Sequence, residues 1–150
     1  MKYAHSIKLT VFSYEEEDYE NILDGFLRFF PFNLEKNKIA LKKSDAIGFD
    51  EKKIVVLEAA LKKSNLINQF LDCLLGNLDL DQKNQMIRQA ESRLDKNFDF
   101  FLRFDKDSWV KEKKLVLTDS GKCFHLMVSA ASFPKKRDAA LNTIKDLFEK

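Results

Sequence analysis

The chain has 150 residues, of which 45% are hydrophobic and 33% are charged, and its formal net charge is +2 at pH 7. This length and composition are typical of a single soluble globular domain over residues 1–150, with a core of its own. The sequence has no run of 18 apolar residues, which excludes a membrane-spanning helix. Because the N-terminus also lacks the apolar region of a secretory signal, we expect a cytoplasmic protein.

The first predicted element is a strand over residues 3–13, where apolar and polar residues alternate. Ser13 then suits the N-cap of a helix, with Glu16 three residues later as in a capping box. The acidic run of residues 15–20 falls in the first turn, where it favours the helix dipole. Pro31 is expected to end this helix.

The middle of the chain predicts two extended segments followed by two helices. Apolar residues at spacings of three and four mark the helices, and the cap of the second is Asp79 or Asp81. The second extended segment starts with β-branched residues, although its Glu-Ala-Ala-Leu-Lys-Lys end suits a helix equally well. The four segments are 33–45 (a strand or a broken hairpin), 54–61, 64–75 and about 79–95.

The most informative stretch is the predicted strand over residues 97–106. Four apolar residues fall on one face, namely Phe98, Phe100, Leu102 and Phe104. The opposite face carries Asp99, Phe101, Arg103 and Asp105. An aromatic ring beside a guanidinium group is unusual on a face that is expected to be open.

The remaining elements complete an α+β pattern. A connection holds the single tryptophan, Trp109, and is followed by a short strand over residues 114–118 and a longer one over 123–131. Pro134 suits the first turn of a final helix. Strands and helices come in separate runs, which predicts a mostly antiparallel sheet with helices packed on one face.

Catalysis has little support in the sequence. It contains no phosphate-binding glycine loop, no nucleophile elbow and no His-Glu-x-x-His, so we expect a protein that is not an enzyme, with no cofactor and no metal site. Asp99 and Asp105 share a face with Arg103. They are more typical of surface ion pairs than of acid–base catalysis, although both interpretations stay open.

RNA binding has better support. Single-stranded RNA is often bound on an open sheet face, where aromatic rings stack on bases and cations hold phosphates. Two predicted strands offer an aromatic ring and a cation on their outer faces, Phe12 with Lys8 on one and Phe101 with Arg103 on the other. Lysines elsewhere in the chain add positive charge that attracts phosphates. The predicted binding residues are Lys8, Phe12, Lys42, Lys52, Lys53, Phe101, Arg103, Lys106, Lys113 and Lys114. The alternative is that both rings pack under a helix, or that the aromatic face binds a partner protein.

The segment Leu102-Arg103-Phe104-Asp105-Lys106 resembles the Leu-Arg-x-Asp-Lys-Gln signature of an archaeal family. Its members are described as RNA-binding or predicted exosome-subunit proteins. The segment 48–57 resembles the Gly-x-x-Gly-Asn-Pro-Ile segment of the same family. Two positions depart from the pattern: Asp107 stands in place of glutamine, and residues 51–53, Glu-Lys-Lys, stand in place of Gly-Asn-Pro, so a tight turn is lost or remade.

The resemblance implies the α+β fold of the large-subunit ribosomal protein that binds 5S rRNA. It also implies RNA binding and a protein partner in RNA-processing machinery. Fold analogy does not establish function, so both are expectations.

Overall fold

The structure, a computed structural model, describes residues 2–150, which form a five-stranded antiparallel sheet and six helices. The predicted α+β fold is therefore confirmed. The strands lie in the order β2-β3-β1-β5-β4. In chain order the elements are β1 (Ala4–Tyr14), α1 (Tyr19–Arg28), β2 (Lys42–Ile47), β3 (Lys53–Leu61), α2 (Ser64–Gly76), α3 (Leu80–Arg88), α4 (Ala90–Arg93), β4 (Asp99–Asp105), α5 (Lys106–Glu112), β5 (Cys123–Ala130) and α6 (Arg137–Phe148).

Burial alternates along β1, β5 and the edge strand β4, as side chains of period two require. On β4, the side chains of Phe100, Leu102 and Phe104 are fully buried, while the residues between them are half-buried or exposed. β1 and β5 show the same alternation. β2 is exposed along its whole length and pairs with β3 in an antiparallel hairpin.

Two compact units make up the chain. The first contains residues 2–7, Leu61–Leu102 and Met127–Lys150, and the second contains Lys8–Ala60 and Arg103–Leu126. The expectation of one domain over residues 1–150 stays a prediction.

The second unit has an aromatic core between α1 and α5. The ring of Phe29 lies 4.8 Å from that of Trp109 and 5.0 Å from that of Phe124, measured between centroids. The indole nitrogen of Trp109 donates to the carbonyl oxygen of Gly25 at 2.7 Å. A side chain at Gly25 would lie 3.1 Å from Val110, so the two helices need a glycine to approach this closely.

In the first unit, the core includes the Phe100 and Phe148 rings, whose centroids are 5.7 Å apart. Arg137 donates to the carbonyl oxygens of Glu91, Leu94 and Asp95. Glu91 belongs to the short helix α4, and Leu94 and Asp95 follow it directly, so the guanidinium group supplies donors to the carbonyl oxygens at the C-terminal end of that helix.

The predicted capping box at Ser13 is wrong. Ser13 is 2% exposed and belongs to β1, because the strand continues past it to Tyr14. The N-cap of α1 is Asp18, whose side chain accepts from the backbone nitrogen of Asn21. Glu17 instead closes the intervening turn, and its carboxylate accepts from the nitrogen of Tyr14 at 2.9 Å.

Other predicted boundaries also move. α1 ends at Arg28, three residues before Pro31, and the strand predicted over 33–45 is confined to β2. The helix predicted to about residue 95 breaks at Gln89, whose backbone leaves the helical region. Trp109 lies in a helix, α5, and α6 begins at Arg137. The predicted strand 114–118 is reduced to one bridge, between Leu117 and Phe104.

Candidate nucleic-acid interface

The second unit contains all the predicted RNA-binding residues except Phe101, which belongs to the first. Lys8 and Phe12 lie on β1, Arg103 lies on β4, and the remaining lysines lie on the β2–β3 hairpin or around α5. A candidate interface can therefore be described within one unit.

Two cations act on one histidine of the sheet, His125. His125 lies on β5, which stands between β1 and β4. Burial lowers the pKa of His125 below its ordinary value, and the positive charges of Arg103 and then Lys8 lower it further. Because like charges oppose protonation, both cations lie near enough to His125 to affect it, and we call these three side chains the positive patch after its two cations.

Arg103 is exposed, and its guanidinium group donates to the carbonyl oxygen of Asp119 at 3.4 Å. The carboxylates expected to hold it have other partners. Asp105 caps α5, accepting from the backbone nitrogen and the hydroxyl of Ser108. Asp99 accepts from the hydroxyl of Ser129 at 2.6 Å. One long hydrogen bond leaves most of the five donors of Arg103 available to a ligand.

The two aromatic rings predicted to stack on bases differ in exposure. Phe12 is 43% exposed, and Phe101 is half-buried. Lys8, also on β1, is half-buried, and its ammonium group lies 3.8 Å from the carboxylate of Glu58. This ion pair is long and partly exposed, so it holds Lys8 only weakly.

Lys106 is placed differently from the other predicted lysines, because only 2% of its side chain is exposed. Its ammonium group donates to the carbonyl oxygen of Phe12 at 2.6 Å and to the carboxylate of Glu17 at 2.9 Å. It also lies 4.7 Å from the centroid of the Tyr14 ring. A phosphate cannot reach a cation enclosed in this way, so the prediction that Lys106 binds RNA does not fit its surroundings.

The other predicted lysines are exposed: Lys42, Lys52, Lys53, Lys113 and Lys114. In the register of the hairpin, Lys42 on β2 lies opposite Glu58 on β3. Lys113 ends α5 in the left-handed region, with a φ of 57°.

A cavity of about 650 Å³ lies at one end of the second unit. It is lined by the tip of the β2–β3 hairpin, the end of β1 and the turn before β5. Lys52 and Lys53 lie on its wall, together with Lys122 and the aromatic residues Tyr14 and Phe49. Phe49 is fully exposed to solvent, so this hairpin-end cavity has an aromatic ring and several cations at its rim.

The β2–β3 hairpin has a tight turn, although Glu51 stands where the family that segment 48–57 resembles has a glycine. The nitrogen of Gly48 donates to the carbonyl oxygen of Lys52, and the nitrogen of Glu51 donates to that of Gly48. Glu51 takes the left-handed conformation, with a φ of 62°. Glutamate adopts this conformation at a cost that glycine does not incur.

Sequence reasoning missed two residues of this surface. The sequence holds no signal for His125, because its position between two cations depends on a strand order that local sequence does not show. For Phe49 there is a signal, namely an isolated aromatic residue that follows a glycine and precedes Lys52 and Lys53.

No helix among residues 2–150 is long and apolar enough to cross a bilayer. The same residues include no group of three or more His, Cys, Asp or Glu side chains placed to hold a metal ion.

The chain is similar to known archaeal proteins in sequence and in fold. A curated RNA-binding protein of Pyrococcus abyssi is 26% identical over 147 residues, covering 97% of this chain and 94% of that protein. A solved structure from Archaeoglobus fulgidus, of family DUF54, has a TM-score of 0.83 at 23% identity, covering 96% of this chain and 99% of the other. A DUF54 protein of Methanothermobacter thermautotrophicus has a TM-score of 0.78 at 22% identity, covering 97% and 98%.

These two structures show that the fold is shared. The model of a protein family described as RNA binding matches residues 6–130, which is most of the chain. The chain therefore belongs to this RNA-binding family.

Proposed function

We propose that this protein binds RNA without catalysing a reaction, through the open sheet face and the exposed lysines of its second unit. The observation that carries the proposal is the exposed Arg103 of the positive patch, whose guanidinium group makes one long hydrogen bond, of 3.4 Å, to the carbonyl oxygen of Asp119. Membership of the RNA-binding family and the name of the P. abyssi relative support the same conclusion.

In this proposal the phosphates contact Arg103, Lys8 and the lysines of the hairpin and of α5. Arg103 is the strongest candidate, because a planar guanidinium group binds a phosphate through two parallel hydrogen bonds. A base stacks on Phe12, whose ring is exposed and which lies on β1, as Lys8 does. Phe101 belongs to the first unit, so its stacking role stays a prediction outside this interface, and Lys106 is left out because it is buried.

The resemblance of residues 102–106 to predicted exosome subunits supports a finer proposal. We place the protein beside RNA-processing machinery in the cytoplasm, with a protein partner there, and with a fold related to the 5S rRNA-binding ribosomal protein. A second candidate function is a protein-interaction module, which the fully exposed Phe49 and Phe133 favour.

The test is a titration of a fluorescent ten-nucleotide oligo(U) RNA at 50 and 200 mM salt, followed by anisotropy. If about four cations contact phosphates, affinity for a single strand should fall about fifty-fold over this range. Replacing Lys62 and Lys63, two exposed lysines of the first unit, by alanine should not change the slope. Absence of RNA binding at 50 mM salt would refute the proposal. An RNA affinity that is the same at both salt concentrations would favour the protein-interaction module.

A further inference from the structure

We propose that the hairpin-end cavity binds one unpaired nucleotide of the RNA, with a preference for guanine. This inference rests on the proposed RNA binding and specifies what the RNA places in the second unit. The cavity, of about 650 Å³, is within the range of small-ligand sites.

The cavity carries both signs of charge. Three lysines line it, Lys52, Lys53 and Lys122, and so do the carboxylates of Glu15, Glu16 and Asp50. A surface that only held phosphates would not include three carboxylates, since these repel anions. A nucleotide combines an anionic phosphate with a base edge that donates hydrogen bonds, and so it matches both signs at once.

Most of these charges are available to a ligand. Asp50 serves the hairpin turn, accepting from the backbone nitrogen of Lys52 at 3.3 Å and lying 4.0 Å from its ammonium group. Glu15 and Glu16, in contrast, are exposed, and their carboxylates have no hydrogen-bond or ion-pair partner among residues 2–150. The ammonium groups of Lys53 and Lys122 are also without an ion-pair partner in that part of the chain.

Two aromatic rings supply the stacking surface. Phe49 is at the hairpin tip and is fully exposed. An exposed apolar ring at the rim of a cavity is typical of a surface that a binding partner covers. Tyr14 is half-buried, and the ammonium group of Lys106 lies 4.7 Å from its ring centroid. Lys106 is thus a positioning residue, because it holds Tyr14 and, through Glu17, the turn that carries Glu15 and Glu16.

The carboxylates determine the base. Guanine presents two adjacent donors on its Watson–Crick edge, N1–H and the N2 amino group, which one carboxylate can accept together. Cytosine and adenine offer a single amino group there, and uracil offers a single ring N–H. Guanine is therefore the base that gains most from Glu15 or Glu16, since bidentate contacts discriminate best between bases.

The experiment compares ten-nucleotide oligo(U) with the same RNA carrying one central guanine, by anisotropy at fixed salt. Wild-type protein should bind the guanine-containing RNA about tenfold more tightly, the size of one bidentate contact. In the Glu15→Gln, Glu16→Gln double variant this preference should disappear. Affinity for oligo(U) should rise in that variant, because two negative charges are removed.

Phe49→Ala should weaken binding of both RNAs by about tenfold, which is typical of one lost stacking contact. Phe49→Tyr keeps the ring and should restore affinity, while Phe49→Leu keeps apolar bulk without a π face and should not. Equal affinity for both RNAs, with Phe49→Ala unchanged and normal salt dependence, would overturn the cavity assignment and leave RNA binding intact. Failure of wild-type protein to bind either RNA would refute the proposed function itself. RNA affinity that Phe49→Leu preserves would overturn the stacking role of Phe49, because leucine has no π face.

Discussion

The ammonium nitrogen of Lys106 lies 2.9 Å from Oε1 of Glu17, with 2% of the lysine side chain and 16% of the glutamate side chain exposed. The lysine also donates to the carbonyl oxygen of Phe12. One buried cation therefore joins the first residue of α5 to the end of β1 and to the turn before α1. These connections fix the end of β1 and the turn after it, which supply Tyr14, Glu15 and Glu16 to the lining of the hairpin-end cavity.

Removing the cation should destabilise the protein. Lys106→Met removes the ammonium donor from the Phe12 carbonyl and leaves the Glu17 carboxylate with the Tyr14 nitrogen but no cation, so the free energy of unfolding should fall by about 3 kcal/mol, as for other broken buried pairs. Urea unfolding measures this change. Lys111→Met is the matched control, since Lys111 and Asp107 form an exposed pair at 3.9 Å, and its effect should stay below about 1 kcal/mol. Equal losses in the two variants would contradict the structural role of Lys106.

The hairpin turn offers a second prediction. Glu51 is exposed and has a φ of 62°. Glu51→Gly should raise the free energy of unfolding by about 1 kcal/mol, because relief of the left-handed strain exceeds the greater entropy of glycine in the unfolded chain. Glu51→Ala removes the same carboxylate but keeps the strain, so it should give no gain. A gain of the same size in both variants would assign the effect to charge.

The sheet shows how far local sequence predicts this fold. Alternation along β4 correctly predicted that Phe100, Leu102 and Phe104 are buried, because strand periodicity alone determines which side chains face the core. Phe98 was predicted on the same face, yet it precedes the strand, is half-buried and has a φ of 67°. A turn there changes the direction of its side chain.

Long-range contacts explain the predictions that failed. Lys106 resembles any solvent-facing lysine in sequence, since its partner Glu17 is 89 residues away. Ser13 and Glu16 match a local capping signal, but burial of Ser13 in β1 outweighs it. The positive patch has the same origin, because sheet order and not sequence proximity places His125 between the strands of Lys8 and Arg103.

Stability should depend on the protonation of His125. Its pKa in the folded protein is lowered, by burial, Arg103 and Lys8 in that order, so the unfolded chain binds more protons as the pH falls below about 6.5. The free energy of unfolding should therefore decrease as the pH is lowered from 7 through this range. His125→Gln should reduce the slope. If unfolding free energy depends on pH equally steeply in His125→Gln and in the wild type, a group other than His125 binds the proton.

Phe12 should contribute to RNA binding more than to stability. Its ring is 43% exposed, so Phe12→Ala should weaken RNA binding by about 1–3 kcal/mol, the cost of one lost base stack, with a smaller loss in unfolding free energy. Phe101→Ala is the comparison, since that ring is half-buried and its removal should cost more stability. Anisotropy and urea unfolding on both variants separate the effects. A large stability loss with unchanged RNA affinity would assign Phe12 to the core.

Arg103→Lys tests the residue on which the proposed interface depends most. The substitution keeps the positive charge and removes the planar fork, so it changes hydrogen-bond geometry while leaving the electrostatic field of the patch nearly intact. Arg103 is exposed and makes one hydrogen bond of 3.4 Å, to the carbonyl oxygen of Asp119. Its replacement should therefore change the free energy of unfolding by less than about 1 kcal/mol.

If the guanidinium group binds a phosphate through two hydrogen bonds, the same variant should bind single-stranded RNA about tenfold more weakly, with an unchanged salt slope because the charge remains. Arg88→Lys is a suitable control, since Arg88 is an exposed arginine of the first unit and its replacement should leave RNA affinity unaltered. Loss of stability with normal affinity per folded molecule would show that Arg103 is structural. Phosphate binding would then depend on the exposed lysines of the hairpin and of α5, whose positions do not depend on Arg103.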